Sequence, residues 1–263
     1  MFIQNKLRTR RPAHKATRHS RASGGKVKLK RKNRIFMKVI ILALFTTISI
    51  SAFSQLRIDM RENLDSNTIR LLNSTSSIYL SYADSNSLSN LIELISRKDS
   101  IKYLTLYNYQ SGNVPSNLRL LLNLKKFYIK AGRIVDYKEF VSSLNSGLES
   151  LDLSILNLDV NELICNISTL KKLKFLFFSC CKNLIVIPPS IRKLKTLRMI
   201  GIYNCPIKQL DNEIYNMEEL KLIEWFNTLI SKEDELIIKS KAKQKGIKVG
   251  GSSRKYNFDA WCH

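Results

Sequence analysis

Residues 173–194 read Leu173-Lys-Phe-Leu-Phe-Phe-Ser-Cys-Cys-Lys-Asn-Leu-Ile-Val-Ile-Pro-Pro-Ser-Ile-Arg-Lys-Leu194, and the chain begins the same pattern again at Leu197. The opening Leu173-x-x-Leu176-x-Phe178 has five counterparts in one register. They are Ile101-x-x-Leu104-x-Leu106, Leu124-x-x-Phe127-x-Ile129, Leu148-x-x-Leu151-x-Leu153, Leu197-x-x-Ile200-x-Ile202 and Leu220-x-x-Ile223-x-Trp225. First positions are separated by 23, 24, 25, 24 and 23 residues. The apolar-x-apolar centre of each unit predicts a short strand with two side chains on one face. A unit this small cannot bury that face alone. Stacked units bury it together and pair their strands in a parallel sheet. Second apolar clusters bring the chain back behind the sheet at Leu118/Leu121, Phe140/Leu144, Leu163/Ile167, Ile187/Ile191 and Leu210/Ile214.

Three residues after each strand centre the pattern wants a side chain that turns inward. Tyr109, Gly132, Leu156, Cys181, Cys205 and Thr228 occupy that place. With Cys181 at the turn and Ile187-Pro-Pro-Ser-Ile191 behind it, the stretch to Leu194 resembles a leucine-rich repeat, and the secreted leucine-rich repeat proteins of Bacteroidetes in particular. The resemblance covers 101–230. It implies an α/β solenoid: a leucine-rich repeat horseshoe with a parallel concave β-sheet of about eight rungs and short helical or irregular convex segments. No unit carries the inward Asn usual in such repeats, which predicts less regular turns.

Weaker units flank the run. Residues 55–100 read as an N-terminal cap and first degenerate repeat, with Ile78-x-Leu80-x-x-Ala83 as a strand and Leu88 onward as a helix. Residues 231–249 read as a capping helix, stopped by Gly246, and a closing strand. Gly250-Gly251-Ser252-Ser253 opens what reads as a flexible tail, 250–263.

Upstream, 37–54 has the layout of a secretory signal peptide: Lys38, an uncharged apolar run Val39–Phe53, and small Ala52 and Ser54 before Gln55. The run is short for a membrane span. It is similar to Bacteroidetes export signals, which often end just before a Gln. Residues 1–36 hold 13 Lys/Arg and no acid, so most of the formal charge of +23 lies outside the repeats. Three readings stay open for them: a start placed too early with Met37 as the true one, an extended n-region, or a functional basic arm. The sequence predicts an exported protein, in the periplasm, on the cell surface or outside the cell.

The three histidines, His14, His19 and His263, all lie near the chain ends. That argues against a histidine acid–base or metal site in the repeats. No Gly-x-Ser-x-Gly, Walker-type loop or Gly-x-Gly-x-x-Gly occurs. No catalytic residue, cofactor or metal is expected. Five cysteines stand at 165, 180, 181, 205 and 262. Cys181 and Cys205 fall on stacked turns, read as buried thiols, with a bridge between them as the alternative.

Outward positions of the strands form the face that this architecture exposes. The candidate ligand-binding residues there are Tyr103, Tyr107, Tyr128, Asp152, Phe175, Phe177, Tyr203, Glu224 and Phe226. Tyr107, Tyr128, Phe177, Tyr203 and Phe226 are expected to form an aromatic stripe that grips a protein or peptide. The plainer alternative is that the rings shield the sheet or that the register slips by one. Asp152 and Glu224 sit three rungs apart, about 14 Å, beyond the reach of a glycosidase pair. Lys126, Lys130 and Arg133 read as a solvated basic patch. Taken together, the sequence predicts a non-catalytic binding module, with no nucleic-acid partner for the mature chain and a membrane only through an uncleaved signal segment. The rival reading keeps 39–53 as an anchor and uses the arm on nucleic acid or anionic lipid.

Overall fold

The computed structural model describes residues 55–252 and Cys262. The basic arm and the signal segment lie outside the described residues. In chain order the elements are β1 (Leu56–Asp59), α1 (Ser66–Leu72), β2 (Ser77–Ser81), α2 (Ser85–Leu94), β3 (Tyr103–Tyr109) and β4 (Lys126–Arg133). Then follow α3 (Tyr137–Ser142), β5 (Ser150–Asn157), α4 (Val160–Ile167), β6 (Phe175–Ser179), β7 (Val186–Ile187), β8 (Met199–Tyr203) and β9 (Gln209–Leu210). The last are β10 (Leu222–Phe226), α5 (Lys232–Gln244) and β11 (Lys248–Ser252). Short 3₁₀ segments at Ser116–Leu120, Pro189–Lys193 and Asn212–Asn216 replace helices in three returns.

Nine strands form one parallel sheet in the order β1-β2-β3-β4-β5-β6-β8-β10-β11, and β7 pairs β9 in a small second sheet. The repeat register of the sequence is the register of the sheet. Leu104, Phe127, Leu151, Leu176, Ile200 and Ile223 pair side by side, as do Leu106, Ile129, Leu153, Phe178, Ile202 and Trp225. All twelve are buried, together with the return clusters from Leu118 to Ile214. The core is therefore one continuous slab between the sheet and its returns. Strand β1, in the stretch read as a cap, is a further rung: Ile58 pairs with Leu80.

Aspartates start the returns. Asp65, Asp84, Asp136 and Asp159 each accept a hydrogen bond from the backbone N–H three residues on, at 2.7–3.0 Å. In α5, Glu233, Asp234 and Glu235 fill the first turn and Lys241 and Lys243 the last, which suits the helix dipole.

Two expectations change. The inward turn at Gly132 and Leu156 does not occur. Strands β4 and β5 run on to Arg133 and Asn157, and strict alternation puts Ala131 and Ile155 inward instead. Elsewhere a left-handed residue supplies the turn: Tyr82, Asn108, Cys180, Asn204 and Asn227 have φ of 52–60°. Each precedes a buried inward residue, namely Ala83, Tyr109, Cys181, Cys205 or Thr228. Asn tolerates this conformation best of the non-glycine residues. Asn227 Nδ2 also donates to Asn204 Oδ1 at 3.0 Å on the neighbouring rung.

The closing strand is also longer than expected. β11 continues through Gly250 and Gly251, which pair with Glu224 and Trp225. A Cβ on Gly251 would lie 2.7 Å from the Trp225 ring and carbonyl. These glycines serve close approach of backbone to a side chain, not looseness. Cys262, at the far end of the segment read as a tail, is buried and bonded to Cys180.

Candidate functional site: the open face of the sheet

Alternation along each strand leaves every second side chain on the open face. All nine candidates lie there, each partly exposed: Tyr103 and Tyr107 on β3, Tyr128 on β4, Asp152 on β5, Phe175 and Phe177 on β6, Tyr203 on β8, Glu224 and Phe226 on β10. The central row runs Arg57–Tyr79–Thr105–Tyr128–Asp152–Phe177–Gly201–Glu224–Gly250 across the nine strands.

Four of the rings on this face form two stacked pairs. Tyr107 stacks with Tyr79 at 6.1 Å, near the N-terminal end. Phe177 stacks with Tyr203 at 6.3 Å, near the C-terminal end. Gly201 allows the second pair: a Cβ there would lie 2.6 Å from Phe177 Cδ1 and 2.8 Å from Tyr203 Oη. The Tyr203 ring lies over its own strand and its hydroxyl donates to Glu224 Oε2 at 2.8 Å. Burial, then the Glu224 charge, pushes the Tyr203 hydroxyl up, so it stays a donor.

On the N-terminal strands the chain covers its own rings with cations. Arg57 lies 5.5 Å from the Tyr79 centroid, Arg61 3.9 Å from Tyr82, Lys126 5.5 Å from Tyr103 and Lys130 4.7 Å from Tyr107. Lys130 Nζ also donates to Tyr107 Oη at 3.3 Å. The basic patch therefore reaches from β4 back to β1. The sequence reading did not include Arg57, Tyr79 or Tyr82 in the site, although the alternation around Ile78 and Leu80 already places Tyr79 outward.

Asp152 lies between Tyr128 and Phe177 on adjacent rungs. Its Oδ1 is enclosed and accepts no hydrogen bond among the described residues. Burial raises its carboxyl from 3.8 to about 7. Tyr128 is raised first by its own burial and then by the Asp152 charge. With the folded-state pKa above the unfolded one, the folded protein holds more protons between them, so stability falls as pH rises from about 4 to about 7. The full gap corresponds to a ceiling of about 4 kcal/mol. Part of Asp152 remains in water, which reduces the cost. Asp152→Asn is expected to match the parent near pH 4 and to exceed it by about 1–3 kcal/mol at pH 8. Urea unfolding at both pH values measures this. An Asn variant less stable at pH 8 would contradict the assignment.

The buried turn thiols are free. Cys181 Sγ lies 3.6 Å from Leu153 O, Cys205 Sγ lies 3.7 Å from Phe178 O, and the Cys181 N–H donates to Cys205 Sγ at 3.4 Å. Burial holds the Cys205 thiol well above its ordinary range, and so protonated. Among the described residues, no three His, Cys, Asp or Glu side chains are placed to hold a metal ion. No helix among them is long and apolar enough to cross a membrane.

The repeat register, the nine-stranded parallel sheet and the alternating strand and return segments define a leucine-rich repeat solenoid. Solved structures with this fold are similar to the chain. Internalin C2 of Listeria monocytogenes is 18% identical, with 76% of this chain and 80% of that chain covered and a TM-score of 0.46. The internalin inlF of the same organism is 16% identical, covering 75% and 68%, with a TM-score of 0.43. A leucine-rich repeat protein of Leptospira interrogans is 23% identical with a TM-score of 0.35. The match covers 57% of this chain and 31% of the Leptospira protein. No family model matches the sequence, and no curated protein does.

Proposed function

We propose that this chain is an exported, non-catalytic leucine-rich repeat module that binds a protein or peptide on its open, concave face. The observation that carries the reading is the central row. Tyr128, Asp152 and Phe177 stand side by side on adjacent rungs, partly exposed, on a sheet whose other face is buried in the core along β2 to β10. A rigid platform of this kind presents aromatic area at low entropic cost, and aromatic residues dominate the binding energy of interfaces. The Tyr79–Tyr107 stack on one side and Tyr203, stacked on Phe177, on the other extend the contact surface. Export rests on the layout of 37–54 and accords with the Cys180–Cys262 disulfide, a bond that persists in oxidising compartments.

Tyr128→Ala and Phe177→Ala are each expected to weaken affinity for the partner recovered from the native host by about 10- to 100-fold. Leu122→Ala, at an exposed position outside the strands, serves as the control and should bind like the parent. Calorimetry or surface plasmon resonance measures both. Unchanged affinity in the two aromatic variants would overturn the binding face. For export, the intact mass of the native protein should correspond to a chain beginning at Gln55. A product retaining 1–54 would refute it and favour the anchored reading.

A further inference from the structure

The open face carries charge of both signs: Asp59 of β1 pairs with Arg61, and Lys248 of β11 stands beside Leu222 at the other edge. From β1 to β4 it carries Arg57, Arg61, Lys126 and Lys130, each laid over a tyrosine of the chain itself. From β5 onward its central row carries two carboxylates, Asp152 and Glu224. Glu224 is already engaged by the Tyr203 hydroxyl. Asp152 is not: its enclosed Oδ1 has no hydrogen-bond partner among the described residues. The cations on the adjacent strand turn away from it, since Lys126 and Lys130 lie over Tyr103 and Tyr107 of β3, on the far side of β4. The rings beside it in the row are Tyr128 and Phe177.

We infer that Asp152 is the acceptor for a lysine or arginine side chain of the bound protein or peptide, seated between Tyr128 and Phe177. The inference rests on the concave face being the binding face. Its physics is that of an unpaired carboxylate at an interface. A partner that covers Asp152 without supplying a cation must either bury the charge unpaired or force its protonation, and both weaken binding. One that inserts an ammonium or guanidinium group gains a charge-assisted hydrogen bond and the faces of two flanking rings. Asp152 thereby selects among partners, and Arg57, Lys126 and Lys130 favour acidic groups of the partner on the N-terminal strands.

The test is a titration of the ¹⁵N-labelled protein with Nα-acetyl-lysine methylamide and Nα-acetyl-arginine methylamide, using Nα-acetyl-norleucine methylamide as the uncharged control. The two cationic amides are expected to shift the backbone amides of residues 128, 152 and 177, while the norleucine amide leaves them in place. Asp152→Asn should weaken the cationic amides by about tenfold. The parent-protein comparison stands even if the variant folds poorly. Absence of shifts with either cationic amide overturns the inference. Equal shifts from norleucine, unchanged in Asp152→Asn, also overturn it while leaving the concave binding face intact. Failure of that face shows separately, as unchanged partner affinity in Tyr128→Ala and Phe177→Ala.

Discussion

Phe127→Ala is expected to cost about 3–5 kcal/mol and to cut the solenoid near its middle. Phe127 is fully buried on β4, pairs with Leu104 and Leu151 on either side, and packs on Phe140 of α3 at 6.4 Å. Removing the ring leaves a cavity that rigid neighbours fill poorly. In a stack held by nearest-neighbour interfaces, a weak rung also lowers the coupling between the segments on either side. Urea unfolding should therefore show a lower midpoint and a broader, two-step transition, whereas the parent unfolds in one. Hydrogen exchange should place the early step on one side of β4. A change below about 1 kcal/mol would mean that Phe127 is not in a packed core.

The second large effect belongs to the disulfide. Cys180 and Cys262 are separated by 82 residues, a span that includes β8, β10, α5 and β11. Closing a loop of that length removes unfolded-state entropy worth about 4.5 kcal/mol in the chain-entropy model, and about 2–4 kcal/mol is typical in practice. The double variant Cys180→Ser/Cys262→Ser should lose about that much, and reducing agent should destabilise the parent equally while leaving the variant unchanged. Thiol titration gives an independent check. Cys165 is exposed and Cys181 and Cys205 are buried, so one thiol should react in the folded protein and three after unfolding without reductant. Five reactive thiols in the unreduced, unfolded protein would refute the bridge.

The strand register over 101–230 is legible in the sequence because it depends on a local period: apolar positions at fixed intervals fix both which face is buried and which strands pair. The same alternation placed every candidate residue on the open face. What the pattern did not reveal depends on contacts between distant residues or on backbone conformation. Gly250 and Gly251 look like linker glycines until Trp225 and Glu224 of β10 are seen against them. Cys262 looks like the end of a tail until it meets Cys180. Counting places Gly132 and Leu156 inward, but β4 and β5 lack the left-handed residue that makes that count hold. The signal was present in Asn108, Asn204 and Asn227, which mark the left-handed position one residue before the turn. The stacking of four rings in two pairs was not legible, since it turns on Gly201 making room for Tyr203 and on which way Lys126 and Lys130 lean.

The N-terminal strands of the open face present cations already laid on tyrosines, and β5 to β10 present Phe177 and Tyr203 stacked beside Asp152 and Glu224. If this is the binding face, as proposed, electrostatics would act on approach and aromatic burial would hold the complex.

The most direct test of the binding face is site-specific photo-crosslinking in the native host. A benzophenone side chain replaces Phe177 in one strain and the exposed Leu236 of α5 in another. The account predicts a discrete covalent adduct from position 177, identified by mass spectrometry, and none from position 236. Adducts from 236 with none from 177 would contradict it and move the interface off the sheet.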